Sequence, residues 1–139
     1  TRRHFIECRT GELNEALMPA SYEIDKALET VFTEAHGVLT ADEIMDHRRR
    51  LRDDPEFDEG YNQIIDLRQV TEFTASGSEM GHLARHNDIF GEGSRRAIVA
   101  EADLVFGMAR MYEIFHSEAS DVIRVFRDMA AARRWLGEG

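Results

Sequence analysis

The sequence has little cysteine, proline or positive charge, and each shortage excludes a class of protein. Cys8 is the single cysteine in 139 residues, so an internal disulfide is excluded and a reducing, cytoplasmic location is expected. The 17 basic and 27 acidic side chains give a formal net charge of −10, which argues against binding to nucleic acid. No apolar run approaches the roughly 20 residues of a transmembrane helix, and the first residues do not resemble a signal peptide. We therefore expect a soluble protein that is not exported.

The chain also lacks linkers, which bounds the number of domains. Its two prolines are Pro19 and Pro55, and no long Gly/Ser stretch, repeat or low-complexity segment divides it. A chain of this length buries roughly two-thirds of its unfolded surface, which is enough for one hydrophobic core without a metal or disulfide. We expect an N-terminal arm over residues 1–18, where periodicity is weak, and one domain over residues 19–139.

The first regular pattern predicts a β-hairpin followed by a helix. The runs YEID and ETVFTEAH are rich in β-branched and aromatic residues, and Gly37 is expected to end the second strand. Thr40 and Glu43 have the spacing of a capping box, which predicts the start of an amphipathic helix. Pro55 is expected to stop that helix.

Three pairs of a strand and a helix follow this opening. They are the strand NQIIDLRQV with a helix from Ser76 or Ser78 to about Phe90, the strand RRAIVAE with a helix capped by Asp103, and the strand DVIRVFRD with a helix from Asp128 to Gly137. The predicted order is ββαβαβαβα. Strands that alternate with helices favour an α/β fold with a mixed, mostly parallel sheet and flanking helices, and the hairpin adds one antiparallel pair.

Three sequence strings within this order carry a resemblance to a known family. They are IIDLRQVTEF at 64–73, AIVAEADLVFGMARMYE at 97–113 and VIRVFRDMAAARRWL at 122–136. With the element order, they resemble the SpoIIAA-like proteins, a bacterial group related to the STAS domains of anti-sigma-factor antagonists. The resemblance covers about residues 20–137 and implies a single compact α/β domain. It implies association with a small ligand, a lipid or a membrane surface, and it implies little chemistry.

The helix near residues 104–115 is predicted to bury one line of apolar side chains. Leu104, Met108, Met111 and Phe115 follow one another at helical spacing, with two further apolar residues beside them. Those neighbours are Val105 and Tyr112. The line is therefore expected to be core.

Phe106 falls on the opposite side of the same helix, near Arg110 and Glu113. A phenyl ring among charged neighbours indicates an exposed apolar patch, although packing beneath a neighbouring helix or loop is the alternative. We expect the surface formed by Phe106, Arg110, Phe73 and Thr74 to bind an apolar or amphipathic ligand, a lipid, a membrane surface or a protein partner. The hypothesis is a non-enzymatic binding or regulatory module that uses no cofactor. We expect the protein in the cytoplasm or peripheral at the membrane, with a homo-oligomer as one alternative among its partners.

The loop TASGSE at 74–79 carries the alternative function, a switch controlled by phosphorylation. According to the resemblance, Ser76 and Gly77 match the phosphorylatable Ser–Gly of STAS antagonists. Thr74 and Ala75 depart from the aspartate and serine of that pattern. The alternative is that Ser76 and Ser78 are helix N-caps.

Two other groups of side chains are expected to carry no site. Glu79, His82 and His86 share a helical face, but a zinc site needs further ligands and no HExxH motif is present, so no metal is predicted. A run of three arginines, Arg48, Arg49 and Arg50, is expected to form a solvated surface that nearby aspartates neutralise. The alternative is that these arginines bind an anionic headgroup. Phosphate-binding glycine motifs are absent from the sequence.

Overall fold

A computed structural model describes residues 2–3, 20–85, 89–116 and 122–137. Within these ranges, one sheet contains six strands and is flanked by four helices. The strands are β1 (Arg2–Arg3), β2 (Ala20–Asp25), β3 (Thr30–Thr40), β4 (Asn62–Thr74), β5 (Arg95–Val99) and β6 (Val122–Phe126). The helices are α1 (Ala41–Arg52), α2 (Gly77–Arg85), α3 (Asp103–Phe115) and α4 (Met129–Leu136). The predicted α/β fold, with the order ββαβαβαβα from β2 onward, is confirmed.

The spatial order of the strands is the same as their order in the sequence. β2 and β3 form the predicted antiparallel hairpin, and the pairs β3–β4, β4–β5 and β5–β6 are parallel. The predicted arm adds a second antiparallel pair, because β1 lies beside β2. Residues 4–18 of the arm lie outside the described residues.

β3 is longer than predicted, because it continues past Gly37 to Thr40. Gly37 has a φ of 71°, in the left-handed region that suits glycine, and it lies at a shift in the pairing register. The last residues of β3 pair with the end of β4 up to Thr74, whereas the β4–β5 pairing ends at Asp66 with Val99. β3 and β4 therefore extend beyond β5 as a two-stranded ribbon.

The two faces of the sheet are covered by different helices. The core cluster on one face joins the sheet to α1, α2 and α3, and includes Leu83 and Ala109 together with Ile98 of β5. The cluster on the other face packs α4 against Ala97 and Val99 of the same strand. Both faces of β5 are buried, which is the usual environment of a parallel strand.

Side-chain caps mark the beginning of α1 and of α4. Thr40 and Glu43 form the predicted capping box at the start of α1. Asp128 accepts hydrogen bonds from two backbone N–H groups of α4, and Gly137 ends that helix with a φ of 84°. These predicted caps are confirmed.

The predicted cap of α3 is wrong. Ala102 occupies the N-cap position and makes no side-chain hydrogen bond there. Asp103 is the first residue of the helix, and its carboxylate instead accepts a hydrogen bond from Arg127 at 2.8 Å. The N-terminal position of Asp103 still favours the helix, because its negative charge lies near the positive end of the helix dipole.

α3 also buries a different line of side chains from the one predicted. Leu104 is 85% exposed and Phe115 is 44% exposed, so the expected core line faces outward at both ends. The buried residues are Val105, Ala109 and Tyr112, spaced at i, i+4 and i+7. The predicted burial of Val105 and Tyr112 is confirmed, and that of Leu104 and Phe115 is wrong. Met108 and Met111 are half-buried against the core.

Candidate functional site

A small cavity lies between the sheet and the layer formed by α1, α2 and α3. Its volume of about 80 Å³ corresponds to roughly two to three water molecules at about 30 Å³ each. Most of its wall is apolar, with contributions from strands and all three helices. The apolar lining includes Ala35, Leu39, Ile44, Leu51, Ile65, Leu67, Phe73, Leu83, Ile98 and Ala109.

A chain of buried polar side chains crosses one side of this cavity. Arg96 Nε donates to Gln63 Oε1 at 3.0 Å, and Gln63 Nε2 donates to Thr33 Oγ1 at 2.8 Å. Thr33 Oγ1 and His47 Nε2 share a hydrogen bond of 3.2 Å. Gln63 and Arg96 come together because they are register partners in the parallel pair β4–β5. The network thus connects β5, β4, β3 and α1.

Arg48 forms a second buried polar contact in the same cavity wall. Its Nη1 donates to the backbone carbonyl of Leu83 at 2.8 Å, and its Nη2 donates to the Tyr112 hydroxyl at 2.6 Å. The side chain joins α1 to α2 and α3. The prediction of a solvated Arg48 is therefore wrong, since the residue is 7% exposed. Ile44, Arg48 and Leu51 share one helical line, and this spacing was the available signal.

The electrostatic environment of the cavity is visible in His47. The pKa of His47 lies at about 3, well below its ordinary value of 6.5, chiefly because burial penalises the charged imidazolium. The positive charges of Arg50, Arg48 and Arg96 act in the same direction. The imidazole is consequently neutral at pH 7.

The structure places the four predicted contact residues in different surroundings. Phe73 is half-buried and lines the cavity, whereas the exposed Thr74 donates its hydroxyl to the Leu39 carbonyl at 3.5 Å. Of the four, Phe73 is the one that the cavity wall includes.

Phe106 and Arg110 lie elsewhere on α3. Phe106 is half-buried and packs against the core cluster, with the guanidinium carbon of Arg127 4.1 Å from the centre of its ring. Arg110 is exposed and pairs with Glu113 at 2.7 Å. The packed environment of Phe106 matches the alternative considered from the sequence.

Ser76 is exposed at the start of α2. Its Oγ accepts a hydrogen bond from the Glu79 N–H at 3.1 Å, and Glu79 Oε1 accepts one from the Ser76 N–H at 2.8 Å. These reciprocal bonds form a capping box, so Ser76 is an N-cap. Of the three residues considered as metal ligands, Glu79 is engaged in this cap and His86 lies outside the described residues. Over the described ranges, no three His, Cys, Asp or Glu side chains are placed to bind one metal ion.

The described helices are too short or too polar to cross a lipid bilayer. The longest of them, α3, has 13 residues, fewer than the roughly 20 that a spanning helix needs.

The architecture is that of the SpoIIAA-like fold, a mixed sheet with three helices on one face and one on the other. A solved structure with this fold, a DUF3478-family protein from Shewanella loihica PV-4, is similar to the chain with a TM-score of 0.54. The similarity covers 84% of this chain and 93% of that protein, at 19% sequence identity. No protein-family model and no curated protein matches the chain. The resemblance expected from the sequence is confirmed as a shared fold.

Proposed function

We propose that this chain is a non-enzymatic binding module that holds a small amphipathic molecule in the cavity beneath α1, α2 and α3. The observation that carries the proposal is the combination of an apolar wall with buried hydrogen-bonding side chains on one side of an 80 Å³ cavity. In such sites the apolar wall removes hydrophobic surface from water, and a few polar groups orient the ligand. Phe73, the predicted contact residue in the wall, belongs to the proposed site.

The chemistry of the polar side chains favours binding over proton transfer. A general base works best when its pKa lies near the operating pH, and that of His47 is about 3. Its Nε2 is also engaged with Thr33. The Tyr112 hydroxyl accepts a hydrogen bond from Arg48, which fixes its position. These groups are suited to hold a ligand.

A cavity-filling variant tests the proposal. Ala109 is buried in α3 and lines the cavity, so Ala109→Met should occupy part of its volume. We expect amide NMR signals of cavity residues to shift when ethanol, acetamide or acetate is added to the wild type, and to shift much less in Ala109→Met. Ala27→Met, on the exposed turn between β2 and β3, is the matched control. The proposal is wrong if none of the three compounds shifts these signals in the wild type.

A switch at Ser76 is a second candidate, favoured by the exposure of its hydroxyl at the start of a helix that lines the cavity through Leu83. A phosphate would add up to about −2 charge three residues after Phe73. It would also face the Glu79 carboxylate, which accepts a hydrogen bond from the Ser76 N–H. Incubation with kinases of the source organism and measurement of the intact mass test this candidate. We expect a mass increase in the wild type that Ser76→Ala abolishes. No increase, or an equal increase in Ser76→Ala, would contradict this candidate.

A further inference from the structure

The outward face of α3 carries a seam of four residues, Leu104, Gly107, Met111 and Ile114. Leu104 is 85% exposed and Ile114 is 60% exposed, and between them lie the exposed Gly107 and the half-buried Met111. At 100° per residue the four positions fall within an arc of about 80°, and they span about 15 Å along the helix. The cavity wall lies on the opposite side of α3, so this seam is separate from the proposed ligand site.

The spacing of the seam is typical of a helix that packs against another helix. Its residues follow one another at intervals of three, four and three, which are the a and d positions of a heptad. The intervals are the same when they are counted from either end. A second α3 that runs in the opposite direction therefore places its Ile114 opposite Leu104 and its Met111 opposite Gly107.

Gly107 forms a notch in the middle of the seam. Glycine is less favourable than alanine inside a helix. Among the described residues, a Cβ built on Gly107 would meet no atom within 4 Å beyond its chain neighbours and the backbone of its own helix. Packing within those residues therefore does not require a glycine here. An approaching helix does use the missing side chain, because the flexible Met111 side chain of a second copy fits the space.

The charges beside the seam favour another protein surface over an anionic membrane. Arg110 flanks the seam and pairs with Glu113 of the same chain at 2.7 Å, so this flank brings no net charge to a contact between two copies. The four seam residues are uncharged, and the chain has a net charge of −10. A membrane of anionic lipids attracts clusters of basic side chains, which the seam does not offer.

We propose that two copies of this chain form a dimer through α3, antiparallel and two-fold symmetric, with Met111 of each copy seated on Gly107 of the other. Such a contact is isologous, because both chains contribute the same surface, and two-fold dimers are the commonest homo-oligomers. A single pair of helices in contact over about 15 Å is small beside a standard interface, so the dimer dissociates on dilution.

Sedimentation of the full chain over a range of concentrations tests the dimer. We expect an equilibrium between monomer and dimer, and Gly107→Gln should raise the dissociation constant at least about tenfold because its side chain occupies the space that Met111 needs. The variant should fold, since that space is open and glutamine favours a helix. Ala130→Gln, at an exposed position of α4, is the matched control. A chain that stays monomeric up to about 1 mM, or a dimer that Gly107→Gln leaves unchanged, overturns the proposal.

Cross-linking tests the direction of the two helices. In a Cys8→Ser background, Leu104→Cys and Ile114→Cys proteins are prepared separately and then oxidised alone or as a mixture. We expect the mixture to form disulfide-linked dimers much faster than either variant alone, because Leu104 of one copy lies opposite Ile114 of the other. Cross-linking of each variant with itself at the rate of the mixture would overturn the antiparallel arrangement.

A lipid surface is the competing occupant of the seam. Cosedimentation with vesicles of phosphatidylcholine and phosphatidylglycerol in equal amounts tests it, and we expect the wild type to stay in solution. Cosedimentation that Ile114→Ser abolishes would assign the seam to a membrane and overturn the dimer.

Discussion

The Arg48 guanidinium donates to the Tyr112 hydroxyl at 2.6 Å across 64 positions of sequence, and this hydrogen bond joins α1 to α3. Both residues are buried. Tyr112→Phe removes the acceptor and leaves a buried charged donor less well satisfied, so we expect a loss of about 1.5 to 3 kcal/mol in the free energy of unfolding. Urea denaturation measures it. Tyr61→Phe is the control, and an equal loss there would show that the hydrogen bond contributes nothing specific.

The burial of a neighbouring line of α3, different from the expected one, predicts opposite sensitivities for two adjacent residues. Leu104 is 85% exposed, so Leu104→Ala should change the free energy of unfolding by no more than about 0.5 kcal/mol. Val105 is 1% exposed, and Val105→Ala should cost about 1 to 3 kcal/mol because it leaves a space in the core. Thermal or urea unfolding of the two variants compares them directly. A larger cost at Leu104 would mean that α3 packs through the other line.

Phe106 should couple energetically to Arg127. The guanidinium lies 4.1 Å from the ring centre, within the range of a cation–π interaction. A double-mutant cycle with Phe106→Ala and Arg127→Ala should give a coupling of about 0.5 to 1 kcal/mol in unfolding free energy. Arg127→Ala also removes the pair with Asp103, so Asp103→Asn in both backgrounds separates that contribution. Strict additivity would show that the ring and the guanidinium do not interact.

The buried His47 predicts a specific dependence of stability on pH. The pKa is about 3 in the folded protein and near 6.5 in the unfolded chain, so between these values the unfolded state binds one more proton. Stability from this group is therefore complete above pH 6.5 and is lost as the pH falls towards 3, with a slope approaching about 1.4 kcal/mol per pH unit.

Comparison with His47→Gln isolates this contribution from that of the carboxylates. The unfolding free energies of both proteins are measured from pH 7 to pH 5. The difference between them should change in favour of the variant as the pH is lowered. Parallel curves would show that the folded protein accommodates a protonated His47.

The order of the elements could be predicted because it depends on local signals. The hairpin, the Thr40–Glu43 capping box and the Asp128 cap involve residues close in sequence, and each was confirmed. The line of α3 that is buried could not be predicted in this way. The helix has two apolar lines, one through Leu104 and Phe115 and one through Val105 and Tyr112. Periodicity shows which side chains share a line, and packing decides which line faces the sheet. The small side chain of Ala109 lies on the buried line.

The buried polar contacts of the cavity could not be predicted from the sequence for a different reason. The acceptors of Arg48 are Leu83, 35 positions away, and Tyr112, 64 positions away, so neither is visible near Arg48 in the sequence. A run of three arginines looks solvated when each is judged by its neighbours. Burial becomes tolerable only when the fold supplies the oxygen atoms that accept the N–H groups.

The agreement between strand order and chain order has a consequence for synthesis. From β2 to β6, each strand pairs with the one made immediately before it, so the sheet can be extended in the order in which the chain emerges from the ribosome. The helices α1, α2 and α3 are completed during this growth, and α4 comes after the last strand. The face that carries Ile64 and Ala97 is therefore open to solvent until residues 129–136 have been made. A nascent chain stalled before that point presents an apolar sheet surface to chaperones and to other nascent chains.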